Sequence, residues 1–563
     1  MFGDNYVWWN AGYYVMNLNG EAVRYARLEL EFNEKVDYIE ICTPSSECER
    51  IYPFDYQPIS VEYDVEGIEH VSANGDRVLR ARYTPRECGE YVISAYFAGE
   101  LVEEGTLFVI DGEQHGYVEK SKKDSCYFAY SDGEPFFWIG INLCFPTAYE
   151  ISSGSEFALS GNVAYLGLRQ YESWMKQCAK HGVNIVRIWL GHEYWSPDTE
   201  NTYELDSVKL SKIDKLVDLA KKHSLKLKLT VEQFRYFDHD KKSVFNKHLC
   251  HCGVPCESIR KWLSNEDYIE AWMYKIGELA KRYSGDTTVA MIELWNEMNA
   301  VEGEADLIME WNKRILPRVK ALFPHQLVTN SLGSLDSEEN AKFYKDFCWD
   351  DTDALQMHRY LDQGAPYKIC GDNLIPSIKE AFSFMRTKER PMLLAETGAV
   401  NNCHSSEFKY YSADDRGIIF VDCVYTPLFV KSAGCGNIWH WDRRYVESKN
   451  LYKYFKPLRK LVDGVDFTSE AFEHLDLSTD KAHILLLRGR KTTLGFVRNK
   501  SDNWMKTLRD MREPEPIDVH IQTSGKGINI IPIWKYDTDA FTFLADGVTI
   551  KGLRYGFLFK YEN

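Results

Sequence analysis

The stretch Met291-Ile292-Glu293-Leu294-Trp295-Asn296-Glu297 reads as an apolar strand that stops on a polar pair. Met392-Leu393-Leu394-Ala395-Glu396-Thr397-Gly398 repeats the pattern further along the chain. Each run ends on a carboxylate. A short, nearly continuous apolar run with polar ends suits a strand covered on both faces, as in a parallel sheet flanked by helices. Working outward, six further runs share this texture: 137–143, 184–190, 225–231, 327–331, 354–358 and 436–441. Between several of them lie amphipathic stretches with helical spacing, at 165–181, 211–223, 265–283 and 305–323. Eight strands alternating with helices over 136–455 predict an α/β fold, a (β/α)8 TIM barrel. A doubly wound sheet alternates in the same way, but its Gly-rich phosphate turn does not follow the first strand here.

The flanks alternate polar and apolar residues instead, as in Ala26-Arg27-Leu28-Glu29-Leu30-Glu31-Phe32 and Leu494-Gly495-Phe496-Val497, with turn signals such as Asn74-Gly75-Asp76. Period-two runs punctuated by turns predict β-sandwiches. The chain of 563 residues therefore divides into an N-terminal β-sandwich over 1–120, the barrel over 121–455 and a C-terminal β-sandwich over 456–563. No internal repeat of solenoid length interrupts this division.

A formal net charge of −17 disfavours nucleic acid and anionic membrane as partners, and acidic polysaccharides with them, while neutral sugars fit. No apolar run is long enough for a membrane span. The 15 Trp, 35 Tyr and 29 Phe either fill cores or offer flat faces for sugar rings. Met1-Phe2-Gly3-Asp4-Asn5-Tyr6 lacks a basic segment followed by an apolar one, so a cytoplasmic location is expected, with a trimmed secreted protein as the alternative. Fourteen irregularly spaced cysteines suggest reduced thiols, not a disulfide framework. Within 248–256, Cys250, Cys252 and Cys256 with two histidines could ligate zinc, but loop thiols without metal are the preferred reading. No metal and no cofactor are expected, and a homo-oligomer is left open.

Glu297 and Glu396 carry the chemistry. Glycoside hydrolysis with retention needs one carboxylic acid to protonate the leaving oxygen and one carboxylate to attack the anomeric carbon. In a barrel, such groups belong at the strands' C-terminal ends. Trp295-Asn296-Glu297 together with Glu396 resembles the clan A glycoside hydrolases, and among them family 5, the cellulase/mannanase-like enzymes. The resemblance implies Glu297 as acid/base and Glu396 as nucleophile. It implies Arg187 as the arginine that contacts the nucleophile and Asn296 as the contact to the sugar 2-hydroxyl. His358 and Tyr360 match the strand-six pair, and Trp439, or its neighbour Trp441, the floor of the subsite. Arg187 is alternatively a structural partner of Glu293, or it bridges both carboxylates. A less solvated Glu297 would keep its proton.

The family's strand-three histidine has no counterpart in Thr230-Val231-Glu232-Gln233-Phe234-Arg235, where Glu232 or Arg235 would take its space. The run 80–91 with 132–137 resembles the immunoglobulin-like domain that precedes barrels in some family 5-like enzymes. The expected substrate is a neutral β-linked oligosaccharide or glycoside, a β-mannoside or β-glucoside. A non-catalytic carbohydrate-binding barrel and a transglycosylase are the rivals.

Overall fold

The computed structural model describes residues 7–9, 13–16, 18–147, 164–199, 203–233, 250–251, 254–255, 259–300, 305–347, 349–385, 390–402, 406–523, 527–535, 537–544 and 547–563. At its centre, β1 (Gly140–Asn142), β2 (Ile185–Trp189), β3 (Lys226–Glu232), β4 (Val289–Trp295) and β5 (Leu327–Thr329) form one parallel five-stranded sheet in sequence order. A second parallel ladder joins β6 (Leu355–Asp362) to β7 (Met392–Val400). Every residue of β2, β4, β6 and β7 is buried, which explains the largely apolar texture of β2, β4 and the start of β7 in the sequence.

Two sequence expectations change here. The run 436–441 forms no strand; its neighbourhood is stitched in by isolated bridges, Trp138 to Gly434 and Thr397 to Ile438. Cys435 N donates to Trp138 O at 2.9 Å and Asn437 N to Leu394 O at 2.9 Å, so this segment lies between β7 and β1. The parallel ladder is also interrupted between β5 and β6, where side chains take over. Thr329 Oγ1 donates to Ala354 O at 2.8 Å and Gln356 Nε2 to Asn330 O at 2.9 Å. The strands therefore do not make a continuous closed sheet. β6 and β7 in turn outrun their predicted ends because the ladder continues past a register shift at Met357/His358, placing Glu396 inside β7.

The described helices are α1 (Gly167–His181), α2 (Ser207–Lys222), α3 (Ile259–Ser264), α4 (Glu266–Tyr283), α5 (Ala305–Leu322), α6 (Glu338–Asp346), α7 (Leu374–Phe384), α8 (Ile418–Phe429) and α9 (Phe455–Val462). Their starts follow local chemistry: the Asp206 side chain accepts from Val208 N and Lys209 N, and that of Asn265 from Asp267 N. All twelve residues of α8 are buried, so it has no polar face.

Two β-rich regions flank this α/β centre. Strands up to Ile110 build two five-stranded sheets around a core that includes Leu28, Leu30, Ile39, Ile93 and Val109. Buried charges fix them to the helices: Arg27 donates to Asp286 at 2.6 Å and Asp218 at 2.7 Å, and Arg82 to Asp214 at 2.7 Å. The C-terminal region has a five-stranded and a three-stranded sheet. On its strand Ala482–Arg488, Ile484 and Leu486 line that region's own core, whereas Leu485 and Leu487 join the central one. Such alternation lets one strand serve two cores.

Cys42 and Cys48 form a disulfide, against the expectation of reduced thiols. They are direct partners in an antiparallel pair, which brings the sulfurs together whatever the overall cysteine spacing. Cys88, Cys144, Cys178, Cys370, Cys423 and Cys435 are thiols. Among the described residues, no helix is long and apolar enough to cross a membrane.

Candidate active site

The strand ends bring Glu297 and Glu396 together. Glu297 follows β4 directly, and its backbone is left-handed, with φ of 48°. For a non-glycine residue this conformation costs about 1–3 kcal/mol and persists only where the surroundings impose it. Here Glu297 N donates to Ser331 Oγ and Met298 N to Ser331 O, both at 3.0 Å. Glu396 pairs with His358 in the β6–β7 register. His358 Nδ1 lies 2.6 Å from Glu297 Oε1 and 3.5 Å from Glu396 Oε2. One donor atom from each of Glu297, His358 and Glu396 lies within 4.8 Å of the others.

Arg187, on β2, has an exposure of 1% and organises the floor of the site. Its Nη1 donates to Glu396 Oε1. Nε and Nη2 grip Glu293 at 2.8 and 3.0 Å, and Nη2 also reaches Asn296 Oδ1 at 2.6 Å. The arginine thus bridges both carboxylates, the combined role the sequence left open. Burial opposes its charge, but Glu293 and Glu396 outweigh burial and hold its pKa above the ordinary value. Burial likewise pushes the Glu293 carboxyl up, yet Arg187 and Lys228 overcome this and hold it well below the usual range.

Lys228 of β3 reaches Gln356 Oε1 and sits 3.2 Å from Glu293 Oε2. Burial and the neighbouring Arg187 pull its pKa down to about 7. Two cations and two carboxylates therefore form a buried box: Lys228, Glu293, Arg187, Glu396. The Tyr360 phenol closes the far side, donating to Glu396 Oε2 at 2.7 Å. Burial, then the charges of Glu396 and Glu297, raise its pKa well above the ordinary value, so it remains a proton donor.

The expectation of a less solvated Glu297 is not met. Its side chain is 14% exposed, against 4% for Glu396. The asymmetry lies in the partners: Glu396 faces a guanidinium and a phenol, whereas Glu297 faces an imidazole and the opening. The Glu297–His358–Glu396 cluster has the donor types of a cation site. However, both Glu396 oxygens already accept from Arg187 and Tyr360, a setting built for a carboxylate acting as itself.

Trp439 and Trp441 separate. Trp441 is fully buried, packed on Trp174 and Phe145, and so belongs to the core. Trp439 keeps a small exposed edge and packs against Trp189 at 5.1 Å between ring centroids. Between the two, His440 has a positive φ of 54°.

Glu232 does not occupy the space of the missing histidine. It turns outward, accepting from Lys275 and from Trp272 Nε1 at 3.0 Å. Arg235 lies outside the described residues, as do Cys252 and Cys256, and Cys250 is described only as backbone paired with Pro255. Sequence reasoning missed Lys228, Gln356 and Asn142. Asn142 Nδ2 ties β7 to the segment after α8 through Ala395 O and Asn437 O, at 3.2 and 2.9 Å. Their signal was a polar residue in an otherwise apolar strand.

Comparison with known proteins gives a consistent result. The family model for cellulase, glycosyl hydrolase family 5, matches residues 132–426, just over half of the chain. Among solved structures, a presumed glycoside hydrolase from Bacteroides vulgatus ATCC 8482 is similar in fold, with a TM-score of 0.57 at 14% identity over 96% of this chain and 100% of that one. An exo-β-1,4-mannosidase from Opitutaceae bacterium strain TAV5 gives a TM-score of 0.40 at 16% identity over 58% of this chain and 57% of its own. An endo-1,4-β-mannanase from Eisenia fetida gives 0.37 at 12% identity over 58% of this chain and 89% of its own. No curated protein matches.

Proposed function

The chain belongs to glycosyl hydrolase family 5 and is a glycoside hydrolase, and from that premise we propose that it cleaves β-glycosides of neutral sugars with retention of configuration. The observation that carries this reading is the spacing of Glu297 and Glu396, whose nearest donor atoms lie within 4.8 Å of each other. Retaining enzymes hold their two carboxyl groups about 5–5.5 Å apart, whereas inverting ones leave about 6.5–9.5 Å for a water.

In the proposed cycle Glu396, oriented by Arg187 and Tyr360, attacks the anomeric carbon. Glu297 donates its proton to the departing oxygen, so the glycosidic bond breaks as the glycosyl-enzyme ester forms. Glu297 then takes a proton from water, which attacks the same carbon and releases Glu396. Asn296 would bind the sugar 2-hydroxyl, His358 would orient Glu297, and Trp439 would floor the subsite. We read the central strands, with the bridged segment before Trp439 as the eighth, as a (β/α)8 barrel over 121–455. The immunoglobulin-like 1–120 and the sandwich 456–563 flank it.

The test follows the anomeric protons of the first-formed sugar by NMR, using 4-nitrophenyl β-D-mannopyranoside and β-D-glucopyranoside. Retention gives the β-hemiacetal first. An initial α-hemiacetal overturns the mechanism.

A further inference from the structure

Gln233 is the first residue after β3, has an exposure of 1%, and leaves both Nε2 and Oε1 without a hydrogen-bond partner. A buried, unpaired amide is costly, so the position demands an explanation. Its direction follows from its neighbour. Lys228 and Thr230 of β3 point inward, but Glu232 points outward to Lys275 and Trp272 of α4, so the alternation slips at the strand's end. β4 slips in the same way: Glu293 faces Arg187, Trp295 packs outward on Trp262 and Trp311, and the next residue, Asn296, faces Arg187 again. Gln233 therefore points inward.

The flanking strands set its backbone between the ends of β2 and β4, and the latter leads into Glu297. On one side is Gly191, just past β2, where an added Cβ would lie 3.3 Å from Gln233 N, so glycine leaves room there. On the other side, Asn296 N donates to Glu232 O at 2.8 Å. Two further buried polar atoms, on site residues, also have no partner: Asn296 Nδ2 and His358 Nε2. Unpaired amide and imidazole atoms thus occur on Gln233, on Asn296 beside Glu297, and on His358, whose other ring nitrogen faces both carboxylates.

We propose that Gln233 is a substrate-binding residue, its amide bridging two adjacent hydroxyls of the sugar held between Glu297 and Glu396; this rests on the glycosidase reading above. The carboxamide suits a vicinal diol, because its oxygen accepts from one hydroxyl while its nitrogen donates to the other. A neutral amide also adds no charge to a site whose box is already balanced, which fits an uncharged sugar.

The experiment compares wild type, Gln233→Leu and Gln233→Asn by melting temperature without ligand and by kcat/KM on the two nitrophenyl glycosides. Leucine keeps the bulk and removes a buried polar group, so the free protein should melt at or above wild type. Its kcat/KM should fall roughly 10–100-fold, as expected when hydrogen bonds to substrate hydroxyls are lost. The monodeoxy substrate lacking the bound hydroxyl should erase most of that penalty. Gln233→Asn retracts the amide by one methylene and should fall between the two. A lower melting temperature for Gln233→Leu would assign the amide to the protein's own architecture and overturn the proposal. Unchanged kcat/KM in both variants, with an active wild type, would overturn it while leaving the glycosidase reading intact. A wild type inactive on every sugar would sink both.

Discussion

The buried box beneath the nucleophile makes a quantitative prediction. Lys228 Nζ and Glu293 Oε2 are 3.2 Å apart, with both side chains fully buried. At an effective dielectric constant of about 20, unit charges at that separation attract by roughly 5 kcal/mol. Removing Lys228 leaves Arg187 alone with two carboxylates, and removing Glu293 leaves two cations with one, so either change leaves an uncompensated buried charge, a loss of about 3–5 kcal/mol. Lys228→Met and Glu293→Gln should therefore each destabilise the protein by that order. The double variant leaves Arg187 with Glu396, one charge of each sign, and should lose far less than the sum. A coupling energy of about 3 kcal/mol or more is expected.

The assay is guanidinium chloride unfolding followed by tryptophan fluorescence at pH 6, where Lys228, pulled down to about 7, is protonated. Raising the pH adds a second signature. The unfolded lysine keeps its proton to about 10.5 and the folded one loses it near 7, so wild-type stability should rise between these values, and Lys228→Met should lack that slope. Glu293 acts in the opposite window. Its folded pKa is depressed, so its contribution is full above the ordinary 4.5 and is lost as pH falls below it, a loss absent from Glu293→Gln. Additive single-variant losses, or identical pH slopes, would refute the box as a coupled unit.

Other expectations concern the reaction and the docking of the C-terminal region. Glu297→Gln should slow turnover of an unactivated disaccharide by about 10²–10⁴-fold while sparing attack on aryl glycosides with good leaving groups, and azide should restore rate by forming a β-glycosyl azide. Asn296→Ala removes both an Arg187 partner and the free Nδ2. It should lower kcat/KM by roughly 10²–10³-fold, a loss reduced on a 2-deoxy substrate, as steady-state kinetics would register. Arg498 donates to Asp422 of α8 at 2.7 Å. Arg498→Met should strand that buried carboxylate at a loss of about 3–5 kcal/mol, measurable by denaturant unfolding. Burial pushes Asp422 up to about 6 even against Arg498, and losing the arginine raises it further, so the destabilisation should ease as the pH is lowered toward 6.

The fold was legible where physics leaves a one-dimensional trace. Strands buried on both faces appear as apolar runs, so β2, β3 and β4 fall close to their predicted positions. β6 was cut short in the sequence because His358, Arg359 and Tyr360 are polar, although the ladder runs on to Asp362. α8 escaped notice because its polar face is missing: the central core and the C-terminal sheet cover it completely. The eighth strand misled in the opposite direction. Glycines at 434 and 436 let the backbone pass so close to its neighbours that an added Cβ would sit 2.5 Å from Trp138 O or 2.3 Å from Cys423 O, and only isolated bridges form.

The site shows the same division. Glu297 and Glu396 could be read because each ends or interrupts an apolar run. Lys228 and Gln233 could not, because a polar residue at alternate positions also marks an exposed strand face. Nor does sequence reveal the left-handed turn at Glu297, or that Trp441 packs inward while Trp439 reaches the edge. Those follow from how the strand ends converge.

The central claim is that Glu396 forms a covalent bond to the sugar. It is tested most directly by trapping with a 2-deoxy-2-fluoro-β-glycosyl fluoride of the preferred sugar, followed by intact-mass and peptide-mass analysis. The account predicts one fluoroglycosyl group per chain, carried on Glu396 and absent from Glu396→Ala. A label on another residue, or catalytic turnover of the reagent with no ester at Glu396 at any time, would contradict it.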